Sequence, residues 1–135
     1  MSWAVGMGDE SILVQEDDEL MDHYLTYTEK TLAELHTLAL RLVDDENPAA
    51  LTEEMHALAH NIRGMGSSFG FPLMTRVGTT LCTYLRALDD DQQAVPDVVT
   101  AHLKAMDTIL GNRIHGEGGD EGQALISRLS EITAA

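Results

Sequence analysis

The chain has 135 residues and a formal net charge of −15, from eight Lys and Arg against 23 Asp and Glu. This length fits one domain with one core, and the acidic charge without a basic patch excludes direct binding to nucleic acid phosphates. The 44% hydrophobic content with only 4% aromatic residues favours helices packed by aliphatic side chains. We therefore expect an all-α protein.

Residues 1–15 mix Gly, Met and Trp without a clear period, which predicts an N-terminal arm. Trp3 or the apolar run at 12–14 is the part of this arm that we expect to dock on the rest of the fold. A helical period then runs from about Asp18 to Val43, and acidic residues crowd its start, as the helix dipole favours. This pattern predicts a first long helix.

Three further helical stripes follow, separated by short breaks that contain Pro, Gly or Asp. The predicted helices run from Pro48 to about Phe69, from Leu73 to Leu88 and from Pro96 to near Gly111. Because loops this short join antiparallel neighbours, residues 16–113 are predicted to form an antiparallel four-helix bundle.

Residues 114–135 are predicted to form a flexible acidic linker and a short C-terminal helix. The linker is the glycine-rich run 116–122, and the helix carries Leu125, Leu129 and Ile132 at helical spacing. This pattern leaves open whether the last helix packs on the bundle or frays.

The compartment follows from the first residues and from cysteine usage. The amino terminus has neither a positively charged start nor a long apolar run, so no signal peptide or transmembrane segment is evident. Cys82 has no partner for an internal disulfide and lies in an apolar helical run, which is typical of a reduced protein. We expect a cytoplasmic protein that does not bind membranes and whose partner is another protein.

The second helix contains a histidine that its apolar pattern does not explain. His60 lies about 200° around the helix axis from Leu58, which is on the apolar stripe. Arg63, Gly64 and Ser67 lie on the same side as His60 and make a polar patch with low side chains. The stripe itself consists of Met55, Leu58, Ile62, Met65 and Phe69.

These neighbours suit a histidine that carries a covalent group. Imidazole is a good nucleophile near neutral pH, and the missing side chain at Gly64 lets another molecule approach the ring. Arg63 can reach an anionic group on the ring, and the Ser67 hydroxyl can add a hydrogen bond. The patch has nothing to bind or hydrolyse a nucleotide. Gly66, which also weakens the helix, has no assigned role beyond permitting close packing or a locally flexible turn.

The segment His60–Gly70, HNIRGMGSSFG, resembles the signature of histidine-containing phosphotransfer (HPt) domains. In that family a histidine is followed by a basic residue at the third place, glycine at the fourth, small residues and a hydrophobic–glycine pair. The resemblance covers roughly Asp18 to Leu110. Met65 departs from it, since the family usually has Ser or Ala there. Because Met65 lies on the apolar stripe, we expect altered packing and an intact site.

The resemblance implies a phosphorelay intermediate. His60 would accept a phosphoryl group from a receiver-domain aspartate and pass it to another receiver, with Arg63, Gly64 and Ser67 beside it and His56 flanking the docking surface. The implied partners are response-regulator receiver domains and a hybrid sensor histidine kinase. The receiver would supply Mg²⁺, so no intrinsic cofactor and no autonomous kinase activity are expected. We expect a monomer.

Two other functions remain open from the residues alone. The same face could bind a signalling partner without phosphoryl transfer, as a helical adaptor. His56 and His60 are four residues apart and could begin a metal site. That site would need Cys82 or another histidine to converge from a different helix, which no motif requires, so no metal ligands are assigned.

Overall fold

The computed structural model describes residues 2–89 and 91–134, with side chains from Asp18 onward within these ranges. These ranges contain five α-helices and no strand, which confirms the all-α fold class. The helices are α1 (Ser2–Leu40), α2 (Pro48–Met65), α3 (Pro72–Arg86), α4 (Pro96–Gly111) and α5 (Gly119–Ala134). Short 3₁₀ turns follow α1 at Arg41–Val43 and α2 at Ser67–Phe69.

Proline sets the start of three helices. Pro48, Pro72 and Pro96 each lie in the first turn of their helix, where the missing N–H would have no helical partner in any case. At α2 the side chain of Asn47 also accepts a hydrogen bond from the N–H of Ala50 at 3.2 Å, which caps the helix. The predicted starts at Pro48 and Pro96 are confirmed.

Helices α1 to α4 form the antiparallel bundle. His36 of α1 bonds Asp107 of α4, Tyr27 of α1 bonds Asn61 of α2, and α2 runs beside α3 along most of its length. The core lies where these helices meet, and its fully buried members include Leu35, Met55, Ile62, Leu81, Leu103 and Met106. Aliphatic side chains and methionines therefore fill the centre, as the composition indicates.

The first helix is longer than the sequence pattern predicts. Helix α1 runs without interruption from Ser2, so secondary structure marks no boundary between an arm at 1–15 and the bundle. No proline interrupts this stretch, and each residue added to an existing helix gains one backbone hydrogen bond. The predicted docking of Trp3 or residues 12–14 lies outside the described side chains.

Helix α5 packs on α3 and α4, which answers the question that the sequence left open. Ile126 and Leu129 are buried against the core, and Leu125 and Ile132 pack beside them. The linker is shorter than predicted, because α5 begins at Gly119 and takes the last part of the glycine-rich run into its first turn. Within the described ranges, no helix combines the length and apolar character that crossing a membrane needs.

Candidate functional site

The orientation of α2 determines which of its residues a partner can reach. Its buried residues are Leu51, Met55, Ala59 and Ile62, and Gly66 directly after the helix is also buried. Leu58 and Met65 of α2 and Phe69 of the turn that follows are only half-buried. The centre of the buried face therefore lies about 40° around the helix from the predicted stripe, towards Ala59. His60 is exposed and lies about 140° around the helix from that centre.

His60 and Arg63 are in direct contact. A terminal guanidinium nitrogen of Arg63 lies 3.0 Å from Nδ1 of His60. Because a guanidinium can only donate, Nδ1 accepts this hydrogen bond and the proton of the neutral ring lies on Nε2. The guanidinium of Arg63 thus reaches the imidazole from the next turn of the helix, and its contact with an anionic group on the ring stays a prediction.

Gly64 leaves open space beside His60. A Cβ placed on Gly64 would have no heavy atom within 4 Å. No packing contact of the described residues therefore requires glycine at this position, although glycine weakens a helix by about 0.5–1 kcal/mol relative to alanine. The open space is thus available to another molecule.

Gly66 and Gly78 allow α2 and α3 to approach closely. A Cβ on Gly66 would lie 2.7 Å from the carbonyl oxygen of Phe71 and 2.9 Å from the amide nitrogen of Thr75. A Cβ on Gly78 would lie 3.1 Å from the Cα of Arg63. The close packing suggested for Gly66 is therefore confirmed. This packing holds the end of α2, the helix that carries His60, against α3.

Thr75, near the start of α3, forms hydrogen bonds with the end of α2. Its hydroxyl donates to the carbonyl oxygen of Arg63 at 3.0 Å and accepts from the amide of Ser67 at 2.9 Å. The hydroxyl of Ser67 also bonds Thr75, at 3.2 Å. The Ser67 side chain is thus engaged on α3, and its hydrogen bond to a group on His60 stays a prediction.

His56 and Arg86 extend the site along α2 and α3. Nε of Arg86 donates to Nε2 of His56 at 3.3 Å, and the rings of His56 and His60 are 6.2 Å apart and nearly parallel. Partial burial lowers the pKa of His56, and the positive charge of Arg86 lowers it further. His56 therefore favours its neutral form beside the two arginines.

An open groove of about 440 Å³ joins these side chains. Cys82 is buried at its edge, and burial raises the pKa of this thiol despite the nearby charges of Arg63 and Arg86. Two of the eight basic residues of a strongly acidic chain thus flank one groove, which favours an anionic group there. The lining residues are His56, His60, Arg63, Cys82, Thr83, Arg86 and Ala87.

Helix α3 contributes side chains to the site that the sequence pattern of α2 does not predict. Thr75, Gly78, Cys82 and Arg86 follow one another at helical spacing and share one face of α3. This stripe of small and polar residues beside an apolar stripe is the signal that could have identified them. Their distance from His60 depends on the antiparallel register of α2 and α3, which the spacing alone does not give.

The metal alternative gains no support from the geometry. In the part of the chain that the structure describes, no three His, Cys, Asp or Glu side chains are grouped so that they could hold a metal ion. The nitrogen of His56 that faces Arg86 accepts a hydrogen bond from it.

Comparison with known families gives a match to one family model. The sequence model of the Hpt domain matches residues 19–112, well over half of the chain. The match includes all of α2, α3 and α4 and most of the bundle part of α1, and it ends before α5. No curated protein and no solved structure gives a match.

Proposed function

Because the chain belongs to the Hpt domain family, whose members transfer phosphoryl groups through histidine in phosphorelays, we propose that it is a phosphorelay intermediate. His60 accepts a phosphoryl group from the aspartate of one receiver domain and passes it to the aspartate of another. The observation that carries this proposal is the exposed ring of His60, with Arg63 at 3.0 Å and open space at Gly64.

The imidazole of His60 is the only group of this chain that forms or breaks a bond in the transfer step. A lone pair of the ring attacks phosphorus, an N–P bond forms and the P–O bond to the donor aspartate breaks. The electron pair of that bond leaves with the aspartate carboxylate. In the second step a carboxylate of the acceptor receiver attacks phosphorus, and the electron pair of the N–P bond returns to the ring of His60.

Arg63 changes its hydrogen-bond partner when the phosphoryl group is transferred. Nε2 is the ring nitrogen farther from the main chain, and attack through it requires that the ring proton lie on Nδ1. Arg63 must therefore release Nδ1, which accepts its hydrogen bond in the free protein. The released guanidinium can then donate to the phosphoryl oxygens, a charge-assisted contact that suits its fork of N–H groups.

The docking partner in this proposal is a receiver domain, which carries acidic residues around its phosphorylated aspartate. Arg63 and Arg86 offer positive charge along the groove, and Gly64 lets the partner approach the ring. His56 and Ser67 flank this contact. The receiver supplies Mg²⁺, and a hybrid sensor histidine kinase is the source of the phosphoryl group. The buried free thiol of Cys82 suits a reducing compartment, so the proposed compartment is the cytoplasm. The proposed relay protein is a monomer.

The test is to incubate the protein with a receiver domain that carries a labelled phosphoryl group. We expect the label to move to the wild-type protein and to the control variant His23→Gln, which changes an exposed histidine of α1. No label should appear on His60→Gln. The labelled product should be labile in acid and stable in alkali, as a phosphoramidate is.

The same experiment separates transfer from simple binding. Equal labelling of His60→Gln and the wild-type protein would contradict the role of His60. Binding of the receiver without any transfer of label would favour the non-catalytic adaptor.

A further inference from the structure

Residues 113–134 lie beyond the family match but contact the turn that follows α2, the helix that carries His60. This turn, residues 66–71, joins α2 to α3. Its backbone closes through a hydrogen bond of 2.9 Å from the amide of Phe71 to the carbonyl of Gly66, and Gly70 within it has a φ of +85°. The direction in which α3 leaves α2 is set here.

The segment before α5 closes on this turn at two points. The amide of Gly116 donates to the carbonyl oxygen of Gly70 at 3.1 Å. The ring of His115 stacks on the buried ring of Phe71, with centroids 4.5 Å apart. The ring also lies so near to Gly70 that a Cβ there would be 3.3 Å from Nδ1 of His115.

Helix α5 then packs on the first turn of α3. A Cβ on Gly118 would lie 2.8 Å from a methyl group of Leu73. Gln123 of α5 accepts a hydrogen bond of 3.4 Å from Arg76 of α3. The buried side chains of Ile126 and Leu129 hold α5 in this position.

The 66–71 turn and the first turn of α3 are connected to Arg63 and His60 through Thr75. Phe71 and Leu73 lie on either side of Pro72, and Thr75 follows in the same turn of helix. Through its hydroxyl, Thr75 holds the carbonyl of Arg63 and the amide of Ser67. A shift of the 66–71 turn would therefore move the backbone of Arg63, whose side chain bonds His60.

We propose that the segment 113–134, through His115, positions the 66–71 turn and so keeps Arg63 in register with His60 during phosphoryl transfer. This inference rests on the proposed function of His60. His115 does not touch the reacting atoms and is a positioning residue. A partner that drew this segment away from the turn would slow transfer without covering His60.

The experiment compares three variants with the wild-type protein. His115→Ala removes the ring, His115→Phe keeps a flat ring on Phe71, and His36→Ala removes a half-buried histidine from a contact between α1 and α4. The rate of transfer from a phosphorylated receiver is measured as a function of receiver concentration. Amide hydrogen exchange is measured at Ser67 and Phe71, whose N–H groups bond within the turn or to Thr75.

For His115→Ala we expect the rate at saturating receiver to fall about three- to tenfold, a typical size for mutations that act through a packed network. The receiver concentration at half-saturation should not change, since the docking groove is intact. The amides of Ser67 and Phe71 should exchange faster. His115→Phe should restore both readouts, and His36→Ala should leave both at the wild-type value.

Three results would overturn the inference, namely an unchanged transfer rate in His115→Ala, unchanged exchange at both amides, or an equal loss of rate in His36→Ala. Failure of the wild-type protein to accept the phosphoryl group would instead refute the proposed function. In that case the exchange data alone would decide whether His115 holds the turn.

Discussion

Gly64 and Gly66 lie two residues apart near the end of α2, yet they face different surroundings. A side chain on Gly64 would extend into open space beside His60, whereas a Cβ on Gly66 would overlap the backbone of Phe71 and Thr75. Gly64 lies inside α2, and Gly66 caps the helix with helical φ and ψ angles, so glycine has a conformational cost at both positions. At Gly66 close packing of α2 on α3 offsets this penalty, and at Gly64 no contact within the described residues does so.

Under the proposed function, this difference separates a position of α2 that serves stability from one that serves contact with another molecule. Stability alone would favour a side chain at Gly64, since alanine there gains helix propensity without a clash. Access to His60 favours glycine. Substitutions at the two positions should therefore separate the two requirements.

The largest effect is expected from Gly64→Gln. The long side chain would occupy the space through which a receiver reaches His60, and a small displacement of reacting groups can lower a rate about 100-fold. We expect transfer from a phosphorylated receiver to slow by about this factor, with no loss of stability in urea denaturation. Gly64→Ala should lie between Gln and wild type. Wild-type kinetics for Gly64→Gln would contradict the access argument.

The buried position should give the opposite result. Gly66→Ala forces backbone atoms apart, and overpacking of this kind costs about 1–3 kcal/mol of unfolding free energy. Gly64→Ala should instead stabilise the protein by about 0.5–1 kcal/mol. Urea denaturation of both variants tests this contrast, and equal midpoints would mean that Gly66 is not needed for packing.

Arg63→Ala should slow transfer about tenfold, because it removes a charge-assisted hydrogen bond to the phosphoryl group. It also removes the donor to Nδ1 of His60, so the tautomer populations of this ring should change. Nitrogen chemical shifts of the imidazole measure the tautomers, and transfer kinetics measure the rate. Lys104→Ala, which changes an exposed cation on α4, is the control. An equal effect of both variants would mean that the rate falls because one positive charge is lost, and not because Arg63 contacts the phosphoryl group.

Much of the fold could be predicted from the sequence, because apolar periodicity and three prolines mark the helices. The predicted buried face of α2 was wrong by part of a turn, since the predicted stripe counted large apolar residues and omitted Ala59 and Gly66, which are buried. Small residues bury little area but allow helices to approach. The helical spacing of Ala59 and Gly66 with the large buried residues is thus a better guide to the buried face of α2 than the hydrophobicity of the two small residues.

Only the part of the candidate site that lies on α2 could be predicted from the sequence. His60, Arg63 and Gly64 share a face because of local geometry, so their arrangement follows from spacing. Arg86 and Thr75 reach the site through the register between two helices, and α5 shows an apolar face without showing which helix it covers. Tertiary packing decides these contacts, and no single stretch of sequence encodes them.

Two histidines repeat the contrast between the exposed and buried surfaces. His60 is exposed, whereas His102 of α4 is fully buried. Nδ1 of His102 donates to the carbonyl of Val98 at 2.7 Å, and Nε2 has no hydrogen-bond partner within the described residues. Burial lowers the pKa of His102, although the bond to Val98 partly opposes this. The folded protein therefore favours the neutral ring.

This depressed pKa predicts a loss of stability in mild acid. Below the unfolded pKa of about 6.5, the unfolded chain binds a proton at His102 that the folded chain does not, so the free energy of unfolding falls as pH decreases towards the folded pKa. One proton gives at most about 1.4 kcal/mol per pH unit. His56 has a pKa shifted in the same direction and adds to the slope.

The smallest predicted effect is the change in this slope when His102 is replaced. His102→Leu removes the titrating ring and its unpaired nitrogen, while the carbonyl of Val98 can keep the backbone hydrogen bond of the helix. We expect stability at pH 8 to stay the same or rise, and the decline between pH 7 and pH 5.5 to become shallower. Urea midpoints across this range measure the decline, with His23→Gln as the exposed control. If His102→Leu and the wild-type protein lost stability in parallel, burial of His102 would not be the source of the acid sensitivity, and the slope would have to come from His56 and the carboxylates.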